Sequence, residues 1–166
     1  PRVPRYTDYT IWNQAPEGEV MTGPIPETFN GTVVIDGPVT GLGEPPSPIV
    51  WEFKSGQVVD VKGDKTFLQK LLDRIRASDP RVTDLRDIWI AEFSVGTNEW
   101  ARFDENISNS EKVAGGIHFG MGNSEGLGPN RGERFHFDSI VKKPTVVVTL
   151  KDGSEVTLID SGKLKV

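Results

Sequence analysis

The sequence has 166 residues, of which 36% are hydrophobic and 26% charged, which is typical of one globular domain rather than a disordered or fibrous chain. Its net charge of -5 and the lack of a basic run argue against binding to nucleic acid or to an anionic membrane. The absence of cysteine excludes disulfides, and no apolar stretch approaches the roughly 20 residues of a membrane-spanning helix. We therefore expect a cytoplasmic protein.

The first part of the chain predicts extended structure. Residues 1–30 are rich in Pro, Gly and Thr, which favours irregular chain with short extended pieces. The segment GTVVIDG (31–37) predicts a buried strand. IVWEFKSGQVVDVKG (49–63) predicts a hairpin that turns at Ser55-Gly56, because two alternating runs flank these residues.

One long helix follows the hairpin. Asp64 is a typical N-cap residue, and apolar side chains recur behind it at helical spacing. The helix is expected to end before Asp79-Pro80, because proline disfavours helical backbone in the residue that precedes it. The predicted apolar face consists of Phe67, Leu68, Leu71, Leu72 and Ile75.

The second part of the chain again predicts strands. The segments are IWIAEFSVG (88–96), GGIHFGMG (115–122), RFHFDSIV (134–141), a hairpin TVVVTLKDGSEVTLID (145–160) with its turn at Asp152-Gly153, and a last short strand in SGKLKV. SNSEKV (108–113) predicts a helical turn capped by Ser108, with Glu111 at the third position. The fold class expected is α+β, with mostly antiparallel strands and hairpins, one main helix and a single domain.

A histidine and an aspartate lie two residues apart on one of these strands. His136 and Asp138 therefore point to the same face, while Phe135 and Phe137 point to the other. An imidazole beside a carboxylate makes up two thirds of a 2-His-1-carboxylate metal site. The alternative is an exposed polar face on which Asp138 only orients His136.

His118 and Glu92 are further candidates. Ile117 and Phe119 flank His118 and are expected to face the core, while nearby glycines permit a close approach of the backbone. Glu92 interrupts an otherwise apolar strand, and glutamate is almost never fully buried unless it is paired or binds a metal. The alternatives are a hydrogen-bonded histidine at a strand edge and an edge strand whose glutamate faces water.

Other chemistry finds little support in the sequence. There is no cysteine and no G-x-S-x-G segment for a nucleophile. The glycine-rich run GMGNSEGLG (120–128) lacks a Walker lysine. Glu19 and Glu17 lie in a predicted loop and are chemically equivalent candidates for a metal site.

Five segments, in this order, resemble the C-terminal part of the thermophilic-type metallo-aminopeptidases, the aminopeptidase T and aminopeptidase S group. They are GEVMTGP (18–24), NGTVVIDG (30–37), IAEFSVGTN (90–98), ENISNSEKVAGGIHFGMG (105–122) and FHFDSIV (135–141). Members of that family are much longer and have a separate N-terminal domain. The resemblance therefore implies one metal-binding domain over residues 1–166, with no counterpart of the N-terminal domain.

The resemblance also implies a set of metal ligands. The glutamates of its two motifs fall on Glu19 and Glu92, the histidine before the G-x-G run falls on His118, and the H-x-D motif falls on His136 and Asp138. In the family these residues hold a pair of divalent ions, usually zinc or cobalt. Glu92 would bridge the ions or assist the attacking water as the catalytic residue. A small peptide or another small molecule is the implied substrate, and a homodimer the implied assembly.

One position departs from the family. The family carries a tyrosine shortly after the first histidine, whereas the stretch GMGNSEGLGPNRG contains Glu125 and no tyrosine, and Tyr6 and Tyr9 are the only tyrosines in the chain. The same superfamily includes 2,5-dihydroxypyridine dioxygenases, in which two histidines and an aspartate hold Fe(II). The two histidines and Asp138 would suffice for that site.

Three hypotheses follow from these residues. A metal-dependent, aminopeptidase-like hydrolase is favoured because Glu19 and Glu92 are retained. A mononuclear Fe(II) ring-cleaving dioxygenase is favoured by the missing tyrosine. A non-catalytic domain that binds a peptide or a partner is favoured by the missing N-terminal domain.

Overall fold

The computed structural model describes residues 17–128 and 131–165. Its elements are β1 (Glu19–Thr22), β2 (Gly31–Ile35), β3 (Ile49–Lys54), β4 (Gln57–Lys62), α1 (Lys65–Ser78), β5 (Ile90–Gly96), α2 (Ile107–Ser110), β6 (Ile117–Gly122), β7 (His136–Val141), β8 (Val146–Thr149), β9 (Glu155–Asp160) and β10 (Lys163–Leu164). Short 3-10 turns occur at Pro26–Thr28 and Leu85–Asp87. The predicted α+β class with mostly antiparallel strands and one main helix is confirmed. The prediction of irregular chain for residues 1–16 lies outside the described residues.

A four-stranded antiparallel sheet with the order β1-β5-β6-β7 is the framework of the candidate site. Side chains alternate between its two faces, as they do along any strand. Phe119, Met121 and Phe137 lie on one face and belong to the hydrophobic core. The opposite face carries the polar residues described below, so the alternation predicted for residues 134–141 is confirmed.

A second sheet, β2-β3-β4, is built on the predicted hairpin. Ser55 and Gly56 both have positive φ, 50° and 83°, which is the backbone of a two-residue turn that matches the twist of the flanking strands. β2 was predicted as a buried strand, and the structure shows it buried on one face only. Val33 and Ile35 are buried, while Val34 points outward and is 47% exposed, because only one face of this sheet packs on the core.

The main helix begins and ends where the sequence predicts. Oδ1 of Asp64 accepts a hydrogen bond from the backbone N–H of Phe67 at 2.8 Å, which satisfies one of the free N–H groups at the helix start. The helix ends at Ser78, before Asp79-Pro80. Its buried residues are Phe67, Leu71 and Ile75, and Leu68 and Leu72 are partly buried against the same core.

The helical turn α2 is present, but its cap differs from the prediction. The side chain of Asn106, rather than Ser108, accepts the capping hydrogen bond, from the backbone N–H of Ser108 at 3.1 Å. The capping pattern was therefore placed two residues too late. Glu111 does not close a capping box and instead pairs with Lys112.

A third sheet, β10-β9-β8, contains the predicted hairpin with its turn at Asp152-Gly153. One hydrophobic core joins the layers and includes Trp51 of β3, Leu71 of α1, Met121 of β6 and Ile159 of β9, all with no exposed surface. Each such side chain stabilises the fold by about 1.5–3 kcal/mol through burial. Among the described residues, no helix has the length and apolarity needed to cross a bilayer.

Candidate metal centre

The four-stranded sheet brings all five predicted ligands onto one face. They are Glu19 on β1, Glu92 on β5, His118 on β6, and His136 and Asp138 on β7. In the antiparallel register, Gly120 of β6 lies opposite both Glu92 and Asp138, and directly opposed residues share a face. Residues far apart in the chain therefore meet in one cluster.

Glu92 lies in the middle of this cluster. Its Oε1 lies 3.1 Å from Nε2 of His118, and its Oε2 lies 3.5 Å from Nε2 of His136. Two groups of donor atoms each lie within 4.8 Å of one another. The first group consists of Glu19, Glu92 and His118, and the second of Glu92, His136 and Asp138. Glu92 belongs to both groups. Glu92 is only 6% exposed on a central strand. The alternative of an edge strand whose glutamate faces water is therefore wrong.

Glu19 completes the first group from the edge strand β1. Its Oε2 lies 3.8 Å from Nε2 of His118 and accepts a 3.4 Å hydrogen bond from Oγ of Ser94. Glu17, the chemically equivalent alternative in the sequence, is exposed and belongs to neither group. Glu19 begins β1, so the predicted loop is wrong at this position, whereas Glu17 lies before the strand. This difference in position distinguishes two glutamates that the sequence could not.

The two histidine rings are oriented in different ways. Nδ1 of His136 donates to the backbone carbonyl of Asn123 at 2.6 Å, and its Nε2 lies 3.1 Å from Oδ1 of Asp138. Metal-binding histidines usually have this arrangement, in which one ring nitrogen is held by an acceptor and the other is free for the metal. His118 is 2% exposed, and its Nδ1 has no hydrogen-bond partner among the described residues. The hydrogen bond between its Nε2 and Glu92, together with packing, therefore orients this second ring.

The carboxylates favour positive charge on both rings. Burial opposes protonation of His136, but the hydrogen bond to Asp138 and the nearby carboxylates outweigh it and raise the pKa of His136 to about 9. Burial likewise opposes protonation of His118, but its hydrogen bond to Glu92 and the surrounding negative charge raise its pKa. Burial alone would raise the pKa of Asp138, but the bond to His136 lowers it. Two imidazoles among three carboxylates are a donor set that fits a divalent cation.

A buried lysine beside Glu19 was missed by the sequence interpretation. Lys112 is 3% exposed, and its Nζ donates to Oε1 of Glu19 at 2.5 Å and to Oε1 of Glu111 at 2.8 Å. Burial opposes the charge of Lys112, but these two hydrogen bonds outweigh it and raise its pKa. Burial raises the pKa of Glu111. Lys112 thus holds one oxygen of Glu19 and leaves the other facing His118.

Gly120 leaves the space in which the donor atoms meet. A β-carbon at this position would lie 2.7 Å from Cε1 and Nε2 of His136 and 2.8 Å from Cβ of Glu92. Real β-carbons do not approach neighbouring atoms this closely, so only glycine fits without displacing a ligand. The close approach predicted from the glycines near His118 is therefore confirmed at Gly120.

Gly120→Ala is expected to lower metal affinity by about 10–100-fold, as loss of a supporting contact does at other metal sites, because the new methyl group must displace His136. Competition with a zinc-chelating dye measures this affinity. Gly63→Ala is the matched control, since its added β-carbon would meet Ile49 at an ordinary 3.5 Å. Equal affinities for the two variants would contradict the prediction.

The chain that leads into β7 is anchored on the end of α1. Asp79 is 1% exposed, and its carboxylate accepts hydrogen bonds from Nε and Nη2 of Arg81 at 2.8 and 2.6 Å. It also accepts one from the backbone N–H of Arg134 at 3.2 Å. Arg81 donates in addition to the carbonyl of Gly132. Asp79 thereby fixes the residues that immediately precede His136.

Asp79→Asn is expected to lower the free energy of unfolding near neutral pH. The hydrogen bond from Arg81, and after it that from Arg134, holds the pKa of Asp79 far below its ordinary value. A depressed pKa stabilises the fold above the unfolded pKa of about 3.9, and this stabilisation is lost as pH falls through the folded value. Urea titrations at about pH 7 and about pH 3 should therefore show a difference between the two proteins that shrinks on acidification.

The control for this prediction is Asp73→Asn, at an exposed position on α1, the helix that ends just before Asp79. It should change stability little, because surface substitutions away from buried networks rarely do. A difference between wild type and Asp79→Asn that is independent of pH would contradict the role given to the carboxylate.

A cleft of about 410 Å³ opens over Glu92 and His136. Asn123, Glu125 and Arg134 contribute to its lining. In the metallo-aminopeptidase family this stretch is expected to supply a tyrosine, whereas Glu125 is exposed at the cleft here. The cleft gives a small molecule access to the carboxylate that the two donor groups share.

Comparisons with known proteins support the fold. No family model matches the chain, and no curated protein does. Among solved structures, 2,5-dihydroxypyridine dioxygenase from Pseudomonas putida KT2440 is similar with a TM-score of 0.66 and 18% identity, over 87% of this chain and 42% of the other. Wild-type AmpT from Thermus thermophilus is similar with a TM-score of 0.63 and 21% identity, over 90% of this chain and 40% of the other. The chain shares its fold with both proteins.

The shared fold agrees with the resemblance drawn from the sequence motifs. The chain spans about two fifths of the length of the solved structures that it matches. The chain therefore has the fold of AmpT and of the dioxygenase, with buried side chains that could hold a metal. The reaction, the substrate and the homodimer stay predictions.

Proposed function

We propose that the protein is a metal-dependent hydrolase, similar to aminopeptidases, that cleaves a peptide or amide bond in a small substrate. The residues that would hold divalent metal, with zinc or cobalt favoured, are Glu19, Glu92, His118, His136 and Asp138. The observation that carries the proposal is the position of Glu92, whose two carboxylate oxygens each face a different histidine. A carboxylate shared in this way suits a bridge between two ions.

Different residues of the chain would have different roles in hydrolysis. Divalent metal bound here would polarise the scissile carbonyl and lower the pKa of a water toward about 7. Glu92, which lines the cleft and is 6% exposed, would either bridge the ions or, with one oxygen left free, take a proton from the attacking water and return it to the leaving amine. Asn123 keeps the ring of His136 in the orientation that the donor group needs.

A second candidate is a mononuclear Fe(II) ring-cleaving dioxygenase of the dihydroxypyridine type. Two observations favour it: the similarity in fold to such a dioxygenase, and the absence of tyrosine between residues 120 and 132. His118, His136 and Asp138 are a 2-His-1-carboxylate set. Oδ1 of Asp138 lies 3.8 Å from Nε2 of His118 and 3.1 Å from Nε2 of His136.

Metal content separates these candidates. The protein and its His136→Ala variant are reconstituted with zinc, cobalt or Fe(II), and bound metal is measured by plasma mass spectrometry. We expect two equivalents of zinc or cobalt, with cleavage of short peptides, and loss of metal in the variant. One equivalent of iron, with oxygen consumption on addition of 2,5-dihydroxypyridine, would replace the hydrolase by the dioxygenase. No bound metal would contradict both and leave a domain that binds a peptide or a partner.

A further inference from the structure

A second cleft, of about 430 Å³, lies beside the metal centre. It is formed between the C-terminal half of α1 and the chain that enters β7, and we call it the arginine cleft. Arg74 lines it from the helix and Arg134 from the other wall, and Phe135 and Phe137 contribute apolar surface. None of the described residues that line it is acidic.

The two arginines of this cleft differ from the others in the described chain. The remaining five bond to a carboxylate, a backbone carbonyl or an aromatic ring: Arg76, Arg81, Arg86, Arg102 and Arg131. The side chains of Arg74 and Arg134 have no hydrogen-bond or ion-pair partner within residues 17–128 and 131–165. Two exposed arginines without a partner in the described chain thus line one cleft, although the net charge of the sequence is -5, and the guanidinium of Arg74 also packs against Gly41. Guanidinium is the side-chain group best suited to bind a carboxylate.

The arginine cleft adjoins the cleft over the metal centre. Arg134, Phe135 and His136 line both of them. The Cα atoms of Arg134 and His136 are at most about 7 Å apart, because only one residue, Phe135, lies between them. One small molecule can therefore contact Arg134 and His136 together.

We propose that the arginine cleft binds a carboxylate group of the substrate. The assignment to the substrate rests on the proposed function, whereas carboxylate binding itself does not. The last turn of α1 carries partial negative charge, which opposes an anion. Binding therefore depends on Arg74 and Arg134, and the negative end of the helix disfavours a doubly charged phosphate more than a singly charged carboxylate.

Hexanoate and its neutral analogue hexanamide test this proposal by isothermal titration calorimetry. The titrations are made in 1,10-phenanthroline, a chelator without carboxylate groups, so that hexanoate cannot bind through a metal. They are repeated with zinc in the absence of chelator, and circular dichroism checks the fold. We expect hexanoate to bind about tenfold or more tightly than hexanamide. Arg74→Gln and Arg134→Gln should each weaken hexanoate binding by about tenfold or more and leave hexanamide unchanged.

Lys70→Gln is the matched control, because it removes one positive charge from an exposed position of α1 that does not line the cleft. It should bind hexanoate like the unmodified protein. Equal binding of hexanoate and hexanamide, an equal loss in Lys70→Gln, or displacement of hexanoate by inorganic phosphate at equal affinity would overturn the proposal. Since the chelator titration needs no metal, failure of the metal-content experiment would leave its result standing.

Discussion

Glu92→Gln is expected to lose both equivalents of bound metal. Its affinity for metal should fall by more than about 100-fold, which is the upper end of the effect of losing a supporting residue at a metal site. Glu92 alone belongs to both donor groups of the described chain. Glutamine retains the shape of the side chain, but it removes the negative charge and turns an N–H group toward one of the two histidines. Metal content by plasma mass spectrometry, with dye competition for the affinity, measures the effect.

The control for this variant is Glu17→Gln, which makes the same change of charge two residues before Glu19 at an exposed site outside both groups. It should retain all bound metal. If Glu92→Gln retained both equivalents at unchanged affinity, the metal would not be held by this cluster, and the role given to Glu92 would be wrong.

Lys112→Met is expected to destabilise the metal-free protein by about 3 kcal/mol, at the lower end of what removing one partner from a buried ion pair costs. The substitution leaves the side chains of Glu19 and Glu111, 14% and 10% exposed, without their cation. Added zinc should restore part of the stability, because positive charge beside Glu19 replaces the ammonium group. Urea titrations with and without zinc measure both effects.

Two further variants test whether the loss of stability in Lys112→Met comes from the unpaired carboxylates. Lys62→Met removes an exposed ion pair with Asp60 and should cost no more than about 1 kcal/mol. Adding Glu111→Gln to Lys112→Met should recover stability, since it removes one of the two carboxylates left without a partner. If zinc stabilised wild type and Lys112→Met equally, the lysine would be a packing residue with no link to the metal centre.

Local signals were sufficient for the elements that depend on neighbouring residues. The turn at Ser55-Gly56, the cap at Asp64 and the end of α1 before Pro80 are determined within a few residues, and all three are confirmed. The pairing of β1 with β5 was not predicted, because its partners are distant in sequence and their register depends on which faces are buried. The cap at Asn106 was misplaced because several neighbouring polar residues suit the same position.

The candidate site was predictable where a polar residue lies in an otherwise apolar segment. Glu92 in an apolar strand and His136 opposite two phenylalanines stood out, since burying polar groups is costly without a partner. Lys112 did not stand out, because a lysine after a helical turn usually faces water and nothing local reports its burial. Gly120 was one of several glycines, and only the approach of His136 from another strand distinguishes it.

The distance in sequence between the strands of the metal centre has a kinetic consequence. Glu19 and Ser94, in contact on neighbouring strands, are 75 positions apart, and Thr40 and Asp138 are 98 apart. Such long loops must close before the donor atoms meet, which slows folding. A partly folded chain therefore offers metal few of its ligands. We expect zinc to leave the refolding rate nearly unchanged and to slow unfolding. Zinc would then stabilise the protein by lengthening the lifetime of the native state.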